Sequence, residues 1–366
     1  MIQSQFGTII KEDVDSVVRE LGAQLEVLGG TTLLVTGASG FLCSYFVDVV
    51  VALNNKGLYP ACKVLALDNL RTGSFTRLEH LNECTDVRFI QHDISQPLAL
   101  KERVDWIIHG ASIASPSFYR RYPLETIEVN FSGTQNLLNL ARQNRVKGML
   151  YLSTSEIYGD PDPAFIPTPE DYRGYVSCTG PRACYDESKR LAETLCMTYA
   201  RLYDVPARIV RPFNVYGPGQ SLADGRIIPD LMTAALARTS IILFGDGRAT
   251  RAFCYVTDAI RAMWHVLFSG GPGEIFNVGN DERETSIAEL AQEMRAVAGP
   301  PWLEIENRTS QDIHYLTDNP QRRCPDLAKL RGAFHWQPRV PLREGLSRTL
   351  RSYAEQRAPT PIRTDA

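Results

Sequence analysis

The 366-residue chain carries 39 Lys and Arg against 42 Asp and Glu, a formal net charge of −3, with 44% apolar and 22% charged residues. This composition excludes a disordered chain and any global attraction to nucleic acid or an anionic membrane surface. The length suits two domains or one large α/β unit with an annex. No apolar run reaches the roughly 18 residues of a membrane span. The first residues lack the basic and apolar regions of a secretory signal. The eight cysteines form no Cys-x-x-Cys pair, a pattern expected of reduced thiols in a cytoplasmic protein without a zinc site or disulfide frame.

Ile10, Val14, Val17, Leu21, Leu25 and Leu28 recur at steps of three and four. This spacing predicts an amphipathic helix over 9–28, packed outside the main fold as an N-terminal extension covering 1–30. From Thr32 the chain alternates. Short apolar runs at 33–36, 64–68, 87–90, 106–109 and 148–153 predict strands, with helices at 41–55 and 123–145. Repeated strand–helix units with apolar strands predict an α/β fold of Rossmann type, a doubly wound parallel sheet. Beyond 170 the rhythm loosens, and Pro and Gly gather at 212–219 and 270–273. A helix resumes at 286–298, opened by the capping box Ser286-x-x-Glu289 and stopped by Gly299. Residues 353–366 read as a flexible tail.

Two motifs carry chemistry. Thr36-Gly37-Ala-Ser-Gly40-Phe-Leu-Cys43 follows the first strand and opens a helix. Backbone N–H groups and the helix dipole at such a turn suit a pyrophosphate. Cys43 stands where a third glycine is usual. Asp68 ends the second strand, where a carboxylate can take both ribose hydroxyls and repel a 2′-phosphate, so NAD is the expected cofactor. Arg71 nearby weakens that preference. Asp93, after the third strand, suits an adenine contact. The second motif is Tyr185-Asp-Glu-Ser-Lys189, whose ends share a helix face. The ammonium lowers the phenol's pKa and makes it a usable base. Ser153-Thr154-Ser155-Glu156 ends another strand, on the edge where doubly wound sheets hold their active sites.

With His109-Gly-Ala-Ser-Ile-Ala-Ser-Pro116, Gly180-Pro-Arg-Ala-Cys-Tyr185, Phe213-Asn-Val-Tyr-Gly-Pro218, Asp224-Gly-Arg226, Thr250-Arg-Ala-Phe253 and Asp318-Asn-Pro-Gln-Arg-Arg-Cys-Pro-Asp326, residues 31–352 resemble the extended short-chain dehydrogenase/reductase family. This is the family of nucleotide-sugar epimerases, dehydratases and decarboxylases. Within it the chain looks most like the UDP-glucuronate decarboxylases.

The resemblance implies roles. Tyr185 would be the base at the sugar's O4, with Thr154 beside it and Lys189 on the ribose. Ser155 and Glu156 would sit at C5 and C6. Ser115, Tyr119, Asn214, Arg226, Arg251 and Arg323 would meet the UDP-sugar, Arg323 also acting in catalysis. Gly37, Ser39, Gly40, Phe41, Leu42, Asp68, Asn69, Asp93 and Ile94, with Tyr185 and Lys189, would hold NAD. Oxidation at C4 would make a C6 carboxylate β to a ketone, so that CO2 leaves readily. The implied product is UDP-xylose or its 4-keto form. A 4,6-dehydratase would instead use Glu156 to take the C5 proton and needs an acid where Ser155 stands. A 4-epimerase and a non-catalytic NAD-sensing scaffold stay open. Three departures from the decarboxylase pattern stand out: Cys43, Gly219-Gln220 after the Gly-Pro, and Cys324 after Arg323. The implied domains are an NAD-binding unit at 31–205 with a return near 240–285, and a substrate lobe at 206–239 and 286–352. A homodimer through the helices at 123–145 and 185–203 is expected by resemblance.

Overall fold

The computed structural model describes residues 7–299, 303–309, 317 and 319–357. Asp318 and residues 358–366, which the sequence reading singled out, lie outside them. The strands are β1 (Thr32–Thr36), β2 (Lys63–Asp68), β3 (Val87–Gln91), β4 (Trp106–His109), β5 (Gly148–Leu152), β6 (Ala207–Pro212) and β7 (Val215–Tyr216). They continue as β8 (Ile241–Phe244), β9 (Thr250–Ala252), β10 (Cys254–Tyr255), β11 (Ile275–Val278), β12 (Glu284–Ser286), β13 (Ile305–Arg308) and β14 (Arg322–Arg323). The helices are α1 (Thr8–Leu21), α2 (Phe41–Asn55), α3 (Pro116–Arg121), α4 (Pro123–Glu128), α5 (Thr134–Asn144) and α6 (Ala183–Tyr203). After these come α7 (Ile227–Ala237), α8 (Val256–Ser269), α9 (Ile287–Ala298), α10 (Ala328–Phe334) and α11 (Leu342–Arg357).

Seven strands form one parallel sheet in the order β11-β6-β5-β4-β1-β2-β3. Every residue of β4 and β5 is buried, as expected where helices cover both faces. The order turns at β1, which has β2 on one side and β4 on the other. Such a switch point opens a crevice at the carboxyl ends of the strands.

Two helices read from periodicity are broken. The helix at the N-terminus ends at Leu21, because Gly22 takes φ +52, and continues as a 3-10 turn over Gly22–Leu28. Its six apolar marker residues are all buried, and α1 packs on α2, α8 and α11. The stretch expected at 123–145 is α4 and α5 joined by a five-residue π-helical segment, Val129–Gly133.

The lobe carries small sheets, β12-β9-β14 and β13-β8. β6, in the segment expected to open the lobe at 206, lies in the central sheet instead, paired with β5 and β11. Of the return near 240–285, α8 and β11 lie on the sheet, whereas β8 and β9 pair within the lobe. Residues 353–357, expected in the tail, belong to α11. Tyr353 there is buried and donates its hydroxyl to the Gln220 carbonyl, a contact that pins the helix's last turns. The capping box at Ser286 and Glu289 forms in full. Among the described residues no helix is long and apolar enough to cross a membrane.

Candidate active site

The turn after β1 brings backbone to the switch point. Gly37 has φ +70, and a Cβ there would lie 2.8 Å from the Ala111 backbone, so only glycine fits. Gly40 is the N-cap of α2, which aims the helix's free N–H groups at the crevice. Cys43 is accommodated by a second glycine: a Cβ on Gly110 would collide with its sulfur.

At the end of β2 the Asp68 carboxylate accepts from the Ser39 backbone N–H at 3.1 Å, the Ser39 hydroxyl at 2.6 Å and the Leu70 N–H at 2.9 Å. Asn69 donates to Asp93 at 3.0 Å, and Ser95 holds the other Asp93 oxygen. Arg71 is committed to carboxylates, donating to Glu125 at 3.1 Å and lying 3.9 Å from Asp93. Gly37, Ser39, Gly40, Phe41, Asp68, Asn69, Asp93 and Ile94 line one cavity of about 340 Å³. A glycine turn at a helix N-terminus for the pyrophosphate and a fixed carboxylate for the ribose fit NAD.

A second cavity, about 260 Å³, is lined by Leu42, Thr154, Ser155, Glu156, Tyr185, Lys189, Asn214 and Arg226. It shares Gly37, Gly40, Phe41 and Gly110 with the first, so the two adjoin. Tyr185 and Lys189 stand one turn apart on α6. Lys189 donates to the Leu152 carbonyl at 2.7 Å, with its ammonium 5.9 Å from the Tyr185 ring centre. Burial lowers the Lys189 pKa to about 7. Burial also pushes the Tyr185 phenol above its ordinary range, opposed by a hydrogen bond with Thr154.

Glu156 is bonded by two guanidiniums. One oxygen takes Arg323 Nη1, and the other takes Arg323 Nη2 at 2.9 Å and Arg182 Nη2. Burial opposes its charge, yet Arg182 and Arg323 win and hold the carboxyl down to about 2. Arg251 lies close behind, bonded to Asn319 Oδ1 at 2.7 Å and the Thr250 carbonyl at 2.7 Å. Burial, and then the neighbouring Arg323, lower its pKa to about 9, against the pull of Glu156.

The other expected residues fall into place unevenly. Ser115 donates to the Asp224 carbonyl at 2.7 Å and lines the first cavity, not the second. Arg226 donates to Asp224 at 2.6 Å and lines both. Tyr119 stacks on Tyr185. Arg323 and Arg251 line neither cavity; Arg323 touches the second through its bonds to Glu156. Two residues had no assigned role. Arg182 lies three positions before Tyr185, inside a motif quoted above, and its place there was the available signal. Glu193, one turn beyond Lys189, accepts from Ser153 at 2.5 Å and from Arg211 at 2.9 and 2.6 Å; nothing in the sequence marks that buried pair.

A model of the NAD dependent epimerase/dehydratase family matches residues 33–279. The chain is 36% identical over 88% of its length to UDP-glucuronic acid decarboxylase 1 of Xenopus tropicalis, covering 72% of that protein. It is 37% identical to UDP-glucuronic acid decarboxylase 5 of Arabidopsis thaliana, covering 86% of each. Among solved structures, a dTDP-glucose 4,6-dehydratase from Streptomyces venezuelae with NAD bound superposes with a TM-score of 0.78 at 30% identity, covering 89% of this chain and 98% of that one. A UDP-glucose 4-epimerase from Thermotoga maritima gives 0.76 at 25% identity, covering 89% and 99%. With its glycine turn, its Tyr185–Lys189 pair and this likeness over most of its length, the chain is an enzyme of the NAD-dependent epimerase/dehydratase family.

Proposed function

We propose that the enzyme oxidises C4 of a UDP-sugar and decarboxylates UDP-glucuronate to UDP-xylose or its 4-keto form. The pairing of Glu156 with Arg182 and Arg323 carries this reading. A carboxylate held between two guanidiniums is a poor base for the C5 proton, which a 4,6-dehydratase must remove. Loss of CO2 from a carboxylate β to a ketone needs no such base. The grouping of Arg182, Arg251 and Arg323 at this end of the site also suits an acidic sugar better than a neutral hexose.

NAD, when bound, supplies a reversible hydride acceptor at C4. Tyr185 takes the O4 proton, helped by the Lys189 ammonium and the Thr154 hydroxyl. Once the 4-ketone exists, the C5–C6 bond breaks and its electrons pass to the ketone oxygen, where Thr154 and Tyr185 stabilise the enolate. Ser155 and Glu156 stand at C5 and C6, and the enolate then takes a proton from solvent at C5 as the 4-ketone re-forms. Arg323 and Arg251 meet the acidic groups, with Asn214 and Arg226 on the UDP. Exposed apolar side chains on two neighbouring helices, Leu124 and Ile127 on α4 and Leu191, Leu202 and Tyr203 on α6, support a homodimer. The cysteine pattern supports a cytoplasmic location.

Incubation with UDP-glucuronate and NAD tests the reading: CO2 and a UDP-pentose are the expected products, and Tyr185→Phe should suppress both. Loss of water from a UDP- or dTDP-hexose, with no CO2 from UDP-glucuronate, would overturn it.

A further inference from the structure

We infer that Arg182 is a positioning residue: from the N-cap of α6 it fixes the Glu156 carboxylate at the wall of the catalytic cavity, in register with Tyr185 on the same helix. Only the activity readout of this inference rests on the reaction proposed above.

Glu156 belongs to a four-residue 3-10 turn, Ser155–Tyr158, too short to fix a long side chain by itself. Its two holders come from different parts of the fold. Arg323 lies on β14, paired with β9 in the lobe. Arg182 is the residue before the first turn of α6, the helix that carries Tyr185 and Lys189. Among the described residues the hydrogen bond Arg182 makes through its guanidinium goes to Glu156; its buried Nε has no hydrogen-bond partner, and Asp186 stands off at 3.9 Å. Arg182 is therefore placed to tie the carboxylate to the helix that carries Tyr185 and Lys189.

The charged and titratable groups facing Glu156 are Arg182, Asp186 and Tyr185 from α6, Arg251 from β9, Arg323 from β14 and Tyr119 from α3. Removing Arg182 takes one positive charge from this set. Glu156 should then protonate at higher pH and sample other rotamers, so the acid limb of activity should move upward.

The test uses the full chain loaded with NAD, as wild type, Arg182→Gln and Arg182→Lys. kcat and KM for UDP-glucuronate are measured across pH. Glu156 is titrated by NMR on protein with carboxyl-labelled glutamate, with Glu156→Gln identifying its resonance. In Arg182→Gln the Glu156 midpoint and the acid limb of kcat should rise by about one pH unit, the tenfold change expected for loss of one close opposite charge. kcat at neutral pH should fall about tenfold while KM stays within about threefold, the pattern of lost positioning and not of lost substrate grip. Arg182→Lys keeps the charge and should restore most of the midpoint. An unmoved Glu156 midpoint in Arg182→Gln overturns the inference, as does a loss confined to KM. If Arg182→Gln does not fold, Arg182→Lys is decisive: reduced kcat with unchanged KM supports the inference, and raised KM with unchanged kcat overturns it. If wild type releases no CO2, the proposed reaction falls, and the Glu156 titration still decides the role of Arg182.

Discussion

The rings of Tyr119 and Tyr185 stack face to face, with centres 5.1 Å apart and planes within 7° of parallel. The pair sets the Tyr185 phenol against a second buried aromatic whose own hydroxyl has no hydrogen-bond partner among the described residues. Tyr119 lines neither cavity, but it stacks on a ring that lines the second, and a buried orphan donor there is a place for an acceptor from a ligand. Tyr119→Phe should keep stability within about 1 kcal/mol and raise KM about fivefold to tenfold, the worth of one neutral hydrogen bond. Tyr119→Ala should cost about 3–5 kcal/mol in urea unfolding, as expected for a large aromatic removed from a core, and lower kcat as well. An unchanged KM in Tyr119→Phe would show that the hydroxyl does not meet the sugar.

Cys43 on α2 and Gly110, the residue after β4, are complementary. The sulfur fills the space that a Cβ on Gly110 would need. Gly110→Ala should therefore destabilise by about 1–3 kcal/mol through overpacking and weaken NAD binding. Adding Cys43→Gly should recover most of that loss, and the double-mutant cycle measures the coupling directly. Additive effects would contradict the complementarity.

Asp13 ties α1 to the fold, accepting from Tyr255 Oη at 2.7 Å and Arg348 Nη2 at 2.7 Å. Burial raises its pKa from 3.8 to about 6, although Tyr255 and Arg348 pull the other way. The native state thus binds more protons here than the unfolded chain, so this group's contribution to stability falls as pH rises from 3.8 to about 6 and is flat above. The full effect is on the order of 2–3 kcal/mol. Asp13→Asn should lack that slope in unfolding measurements between pH 4 and 7. An identical slope in the variant would assign the pH dependence elsewhere.

Asp68 is preorganised by three donors from Ser39 and Leu70. Asp68→Ala should weaken NAD about tenfold by calorimetry, the loss of one charge-assisted contact to the ribose. It should not confer NADP binding, because Arg71 remains paired with Glu125 and Asp93. Equal affinity for the two cofactors in Asp68→Ala would show that Arg71 had been released.

Much of this enzyme was legible in one dimension. Strand–helix alternation, the turn at Gly37 and Gly40, Asp68 at a strand end, and Tyr185 with Lys189 are local patterns, because each depends on residues a turn or a strand apart. The sequence by itself therefore determined the doubly wound sheet, the cofactor and the placing of Tyr185 and Lys189 one turn apart on a helix. What it did not determine depends on contacts between distant segments. β6 and β11 complete the sheet because they find an open parallel edge at β5, a pairing that no run of residues announces. Arg182 and Arg323 lie 141 positions apart and meet only because the lobe folds β14 back against the turn after β5. Their shared hold on Glu156 turns a residue that could have been a base into a fixed, ionised carboxylate. Charge, burial and distance decide that outcome together, and only the tertiary structure sets all three.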